Sequence, residues 1–226
     1  VGKTYLNFFK GDSMIYKANL NRYRNEGEES EMSPTTIPMS MLGEDLADEK
    51  SNDIYLHNDI TTDTLLKARK QIIKQINNYK KIILQNDLDK DMLNHFHINL
   101  HINSNGGYVL DSFGMYDFIR SSPVPIYTHV EGVCASAATI ISVAGHKRFM
   151  TRSSMFMIHQ LSTWFGGKHQ EFIDEKINLD LMMKRIKQIY LETTNMKKAV
   201  LTNLLKRDLF LELDKCIEYG FIDSEF

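Results

Sequence analysis

A β-rich run from Pro125 to Val130 enters the stretch Gly132-Val-Cys-Ala-Ser136-Ala-Ala-Thr-Ile-Ile-Ser142, and a short run of small and apolar residues suited to a helix leaves it. A serine between Ala135 and Ala137 at a strand-to-helix junction has the pattern of a nucleophile elbow. The tight turn lifts the hydroxyl clear of its own backbone, and the small neighbours let a carbonyl approach. A helix beginning there also aims unpaired N–H groups and a partial positive charge at the same point. The plainer reading of Ser136 is a helix cap. The junction therefore fixes an α/β arrangement first, and carries chemistry only if partners for the serine exist elsewhere.

The 226 residues allow one sizeable domain, with or without an appendage. A net charge of −2 argues against a general nucleic-acid binder, which would carry a basic surplus. Apolar runs such as Ala137 to Ala144 are too short to span a bilayer. The first residues show no apolar core followed by a small-residue cleavage site, so no secretory signal is expected. Cys134 and Cys216 are the two cysteines, too few for a disulfide framework. They read as buried thiols in a reducing, cytoplasmic setting.

Residues 1–52 differ from the rest. They hold the acidic tract Asn25 to Glu31 and the loop-like Ser33-Pro-Thr-Thr-Ile-Pro38, with no sustained period. They read as an arm, partly disordered or pore-associated, with Met14 to Leu20 as a short strand or helix. A domain then fills 53–226. Ile54 to His57 reads as a strand, and Thr61-Thr-Asp63 offers caps to a helix with Leu65, Ala68, Ile72, Ile76, Tyr79 and Ile83 on one face. Phe96 to Ile102 alternates as a strand, with His97, Asn99 and His101 on its other face. Those histidines could bind a metal, but no cysteine or carboxylate adjoins them in sequence. Solvated or core-bonded side chains are the better reading, and no metal site is expected.

That strand runs into Asn103-Ser-Asn-Gly106-Gly107, then a helix from about Leu110 to Arg120. Two glycines there let backbone N–H groups face open space, although an ordinary tight turn looks the same. Neither a Walker pattern nor a full dinucleotide fingerprint is present. Pro123 to Val130 is the next strand. Lys147 to Met150 and Met155 to Ile158 follow as short strands, the second ending in His159-Gln160. A long helix from about Gln170 to Thr194 follows Gly166-Gly167. Ile173, Ile177, Leu181, Ile186 and Ile189 mark its buried side, and Met182, Met183 and Tyr190 widen the stripe. Such a stripe serves either subunit packing or a deep core. A helix over about Lys197 to Leu205 and another over Asp214 to Tyr219, stopped by Gly220, complete the chain.

Taken together, Asn103-Ser-Asn-Gly-Gly, the Ala-Ser136-Ala elbow, Met157-Ile-His159-Gln, and Arg207-Asp208-Leu-Phe followed by Cys-Ile-Glu218-Tyr-Gly-Phe-Ile-Asp223 resemble the proteolytic subunit of the Clp protease, in order and spacing, over roughly Asp53 to Asp223. The resemblance implies a spiral of β-α units, of the kind shared with crotonases, with a protruding handle helix. It implies a serine endopeptidase with Ser136 as nucleophile, His159 as base and Asp208 as orienter. The backbone N–H groups of Gly107 and Ala137 would form the oxyanion hole, with Gly106 serving the turn. Substrate would lie as an added strand near Gly106 and around Gly166 and Gly167. The implied assembly is a pair of stacked seven-membered rings, a tetradecamer, with Arg207 among its contacts. Unfolded polypeptide would be fed in by an AAA+ unfoldase that uses ATP, this chain having no cofactor of its own. No nucleic acid or membrane partner is implied.

Three departures point to a divergent member, viral or accessory. Leu161 stands where the family usually has proline, and Lys206 where many members carry an acid. The elbow reads Cys-Ala-Ser-Ala-Ala, closer to the variants of phage-encoded relatives than to the common bacterial Ala-Ser-Met. Three alternatives stay open: a capsid-maturation protease that works without an unfoldase, a ring subunit without catalysis, and a crotonase-like acyl-CoA enzyme.

Overall fold

The computed structural model describes residues 51–226; the acidic tract and the Met14 to Leu20 segment of the arm lie outside them. The first element, strand β1 (Asp53–Leu56), leads into helix α1 (Thr62–Gln85). The Thr61 hydroxyl accepts from the Thr64 N–H and the Thr64 hydroxyl accepts from the Thr61 N–H, so each end of the first turn satisfies the other. All six residues that share a face by spacing, Leu65 to Ile83, are buried. A short 3-10 helix (Lys90–His95), not evident in the sequence, returns the chain to strand β2 (Ile98–Ser104).

Helix α2 (Val109–Arg120), strand β3 (Ile126–Ala135), helix α3 (Ala137–Ser142), and strands β4 (Lys147–Met150) and β5 (Met155–Met157) follow. Then come helices α4 (His169–Thr193), α5 (Lys198–Leu204) and α6 (Leu213–Tyr219), and strand β6 (Ser224–Glu225). The strands lie in the order β1-β2-β3-β4-β6, with β5 also on β3, and every pairing between them is parallel. Parallel neighbours need crossovers, and α1, α2 and α3 supply them. Ile98, Leu100 and Ile102 of β2 are fully buried under these helices, as their alternation requires.

Strand β3 runs five residues beyond the expected end at Val130, because it changes partner partway. Residues up to Val130 pair with β4, and Val133 to Ala135 pair with β5. Gly132 bridges the change at φ +89°, and its N–H donates to Ser154 Oγ at 2.7 Å while the Val133 N–H donates to Asn103 Oδ1 at 3.2 Å. Side chains thus take over where the ladder is interrupted.

The open side of the sheet carries a ladder of rings. His97 stacks on Tyr127 at 4.6 Å, and His101 stacks on His129 at 4.9 Å, as His129 does on Phe149. His101 places Nδ1 2.6 Å from Glu131 and Nε2 3.3 Å from Asp53. The ring is thereby fixed between the two carboxylates, one at each nitrogen. These histidines are core-bonded, and among the described residues no group of three or more His, Cys, Asp or Glu is arranged to hold a metal.

The far end is fastened by Arg148, which pairs with Asp223 and donates to the carbonyls of Thr193 and Gly220 at 2.7 and 2.8 Å. Gly220 ends α6 at φ +78°, as its place after the helix predicts. Cys134 and Cys216 are both buried and free. Helix α4 departs from expectation. Only Ile186, Ile189 and Tyr190 are buried, whereas Ile173, Ile177 and Leu181 are exposed. The expected buried side therefore holds only for its second half, and among the described residues its first half is left uncovered.

Burial pushes the His129 imidazole down to about 4, with His101 beside it acting the same way, and burial also lowers His97 and His146. Histidines depressed in the folded state take up protons first when unfolded. Their contribution is complete above about pH 6.5 and is lost as pH falls toward 4. Thermal melts should show Tm falling across that window, with a shallower fall in His129→Phe. An unchanged slope in that variant would show that His129 is not the group responsible.

Candidate active site

Strands β2 and β3 end side by side, and the two junctions that follow them meet. Ser136 is the residue before α3 and takes φ +55°, ψ −127°, a conformation costly for any residue but glycine. Its hydroxyl makes no cap on α3 and lies instead 2.7 Å from His159 Nε2. That disposes of the cap reading. Its N–H donates to the Met157 carbonyl at 2.8 Å, and its carbonyl accepts from the Thr139 N–H at 3.1 Å. The strained turn is thus held at both ends.

Gly106 sits directly against this turn. At φ +105°, a β-carbon built on it would lie 2.6 Å from Ser136 Cβ and 2.8 Å from the Ala135 carbonyl oxygen. Its expected role in the turn is therefore joined by a second, close packing on the serine. Gly107 is fixed by a different neighbour: a β-carbon there would lie 2.2 Å from the Ile60 carbonyl oxygen. The surrounding amides are mostly committed. The Gly106 N–H donates to Ser104 Oγ at 3.1 Å and the Tyr108 N–H to the Ile60 carbonyl at 2.9 Å. The Gly107 N–H finds no acceptor among the described residues, and Ala137, the first residue of α3, has none a turn back. Both line the cleft beside Ser136.

His159 follows β5 and is mostly buried, while Asp208 follows α5 with a side chain 75% exposed. The loop holding Asp208 is clamped at two points. The Gln160 N–H donates to the Leu205 carbonyl at 2.7 Å, and Phe156 and Leu211 exchange hydrogen bonds at 3.0 and 2.7 Å. This brings Asp208 Oδ1 to 3.2 Å from His159 Nδ1. An ionised Asp208 accepts from Nδ1–H, which leaves the Nε2 lone pair facing the Ser136 O–H. The arrangement can draw a proton from a hydroxyl and hold the imidazolium that results. Uncommitted amides stand nearby for a developing negative charge.

Three of the other sequence-stretch residues lie outside this cluster. Gly166 and Gly167 are exposed where an irregular segment enters α4, and Gln160, Leu161 and Ser162 are the residues of that segment at the cleft. Arg207 is exposed and makes no ion pair among the described residues. Leu161, in the place of the usual proline, keeps an N–H and donates it to Met183 Sδ at 3.2 Å. Sequence reasoning did not single out Ile60 or Thr139. Neither carries a spacing signal, since each acts through a contact made only in three dimensions.

Gly106→Ala should strain the turn and push the elbow, since the nearest atoms are backbone and β-carbon rather than a flexible tip. The expected outcome is a lower Tm, by roughly 1–3 kcal/mol or more of stability, together with slower labelling of Ser136 by a fluorophosphonate. Wild-type values for both would show that the approach of Gly106 does not hold the serine.

A family model described as Clp protease matches residues 58–224. Among solved structures, a point mutant of ClpP1 from Listeria monocytogenes is similar with a TM-score of 0.58 and 21% identity, covering 77% of this chain and 91% of that one. At that identity the structural likeness speaks for the fold, and the family match over most of the chain speaks for descent. The chain belongs to the Clp protease family.

Proposed function

We propose that this Clp-type protease subunit is a serine endopeptidase in which Ser136, His159 and Asp208 act as nucleophile, base and orienter. The observation that carries the reading is the 2.7 Å contact between Ser136 Oγ and His159 Nε2, made by a serine whose hydroxyl is withheld from capping its own helix. In the reaction, Nε2 takes the Ser136 proton as Oγ attacks the scissile carbonyl. The oxygen's negative charge is received by the N–H groups of Gly107 and Ala137. The imidazolium, paired with Asp208, then gives its proton to the leaving amine, and water repeats the sequence on the acyl-enzyme. Removing one such amide donor typically costs about 3 kcal/mol of transition-state stabilisation. An extended substrate strand lies between the Gly106-Gly107 turn and the segment from Gln160 toward Gly166-Gly167.

Assembly into stacked heptameric rings accounts for the unburied half of α4. Phe172, Ile173, Ile177 and Leu181 form an apolar stripe, continued by Trp164 at 92% exposure, that a lone subunit would present to water. Arg207 stands among the charged contacts of such a ring. An AAA+ unfoldase using its own ATP delivers unfolded polypeptide to the chamber, in the cytoplasm.

Ser136→Ala should abolish hydrolysis of a fluorogenic peptide while leaving the native mass of the assembly unchanged, and retained hydrolysis would reject the assignment. His159→Ala should lower kcat by about 10⁴-fold or more. Asp208→Ala should cost clearly less, because its contact with His159 is long and exposed. Equal losses would mean that the carboxylate matters more than its exposure suggests. Leu181→Asp should lower the native mass to that of smaller species. An intact tetradecamer in that variant would place the ring contacts elsewhere.

A further inference from the structure

Ser136 and Ala137 share one trans peptide group, whose C=O and N–H face opposite ways. Because that group is planar, whatever holds the Ser136 carbonyl also sets where the Ala137 N–H points. Resting on the peptidase reading above, we propose that Thr139 and Tyr190 are positioning residues. Acting through the Ser136 carbonyl, they aim the Ala137 N–H at the oxygen on which negative charge develops.

At the starts of α1, α2, α4, α5 and α6, the carbonyl of the residue before the helix accepts from the N–H four residues on. Before α3 the Ser136 carbonyl accepts instead from the Thr139 N–H, three residues on, at 3.1 Å, and from the Thr139 hydroxyl as well. Thr139 thus grips that oxygen twice. Its hydroxyl has one proton and gives it to the carbonyl, so in the 2.7 Å contact with the Tyr190 hydroxyl the tyrosine is the donor. Burial pushes the pKa of the Tyr190 hydroxyl up, which keeps that proton in place. Thr139 is fully buried and Tyr190 is 2% exposed, so water does not compete for either bond. Losing one would leave a buried polar atom without a partner. The tyrosine ring is anchored in turn, edge-to-face on Phe221 at 5.7 Å between centroids. Ser136 needs such an anchor. At φ +55° and ψ −127° it is strained, and strain is relieved most simply by turning the peptide group that follows. That turn would swing the Ala137 N–H off its line.

The test uses the assembled full-length protein, a fluorogenic peptide, and a peptide aldehyde whose tetrahedral adduct with Ser136 sets an oxygen against the same amides. Thr139→Val keeps the side chain's shape and removes its hydroxyl. Tyr190→Phe keeps the ring on Phe221 and removes only the donor. Thr139→Val should lower kcat by about tenfold or more, with KM within about twofold, and weaken the aldehyde by a similar factor per active subunit. Tyr190→Phe should do the same to a smaller degree. Thr139→Ser restores the hydroxyl and should recover most of the loss. A residue that merely supports the fold would lower Tm or the number of active subunits, and leave the aldehyde's affinity for each of them unchanged. If Thr139→Val fails to assemble, Tyr190→Phe decides. Wild-type kcat and aldehyde affinity in either assembled variant would overturn this inference and leave the peptidase reading standing. A loss in Thr139→Ser as deep as in Thr139→Val would do the same. A wild type that neither hydrolyses the peptide nor binds the aldehyde would overturn the two together.

Discussion

The contact of one glycine with one serine sets the position of everything around it. Gly106 packs on the Ser136 turn so closely that not even a methyl group fits between them. Its φ of +105° and the serine's φ of +55° are both conformations that the rest of the structure must impose. A strained serine costs on the order of 1–3 kcal/mol, so it persists only where its neighbours leave no alternative. Those neighbours are the Met157 carbonyl, the Thr139 N–H and hydroxyl, and the hydrogen-bonded Tyr190 behind them. The sheet supplies the means. By passing from β4 to β5 at Gly132, strand β3 delivers Ser136 beside the end of β2 rather than past it.

The regular elements were legible because burial on one face leaves a period in the sequence. All six inward residues of α1 and the three of β2 are where the alternation puts them. The Gly220 stop and the free, buried cysteines were legible on local grounds also. The α4 stripe shows what periodicity omits. A stripe says that a face is meant to be covered, without saying whether the cover belongs to the same chain, and Ile177 and Leu181 look in sequence as Ile186 does. The extra length of β3 was hidden for another reason. Glu131-Gly132 breaks the strand pattern, and only the side chains of Asn103 and Ser154 make good the lost ladder bonds. The two-residue β6 is too short to leave a pattern at all.

The site was legible to a different degree in its parts. Ser136 and His159 sit at strand ends within recognisable local runs, and spacing alone placed each near a junction. Asp208 had no such signal. It reaches His159 because the Phe156–Leu211 bridge and the Leu205 carbonyl fix its loop against β5, contacts between segments far apart along the chain. Thr139 and Tyr190 were less visible still, one inside a small-residue helix and the other at the edge of a broad apolar stripe. A buried hydroxyl pair is a relation between two residues, and neither member announces it alone.

The site therefore has two unlike halves. On one side Gly106 and Ala137 are buried, Gly106 packs closely on the Ser136 turn, and that turn is held by the Met157 carbonyl and the Thr139 N–H, with Gly107 exposed beside it. On the other, Asp208 holds His159 by a 3.2 Å contact with its carboxylate mostly in water, where such a pair contributes little. Ser136 and the amides beside it are positioned by contacts among the described residues. The setting of the imidazole depends on a loop that also carries the exposed Arg207. Orientation of a base counts for more as its surroundings exclude water, because the same hydrogen bond strengthens when the dielectric falls. Under the proposed mechanism, a site divided in this way is built in advance where charge would develop and left adjustable where the proton would be held.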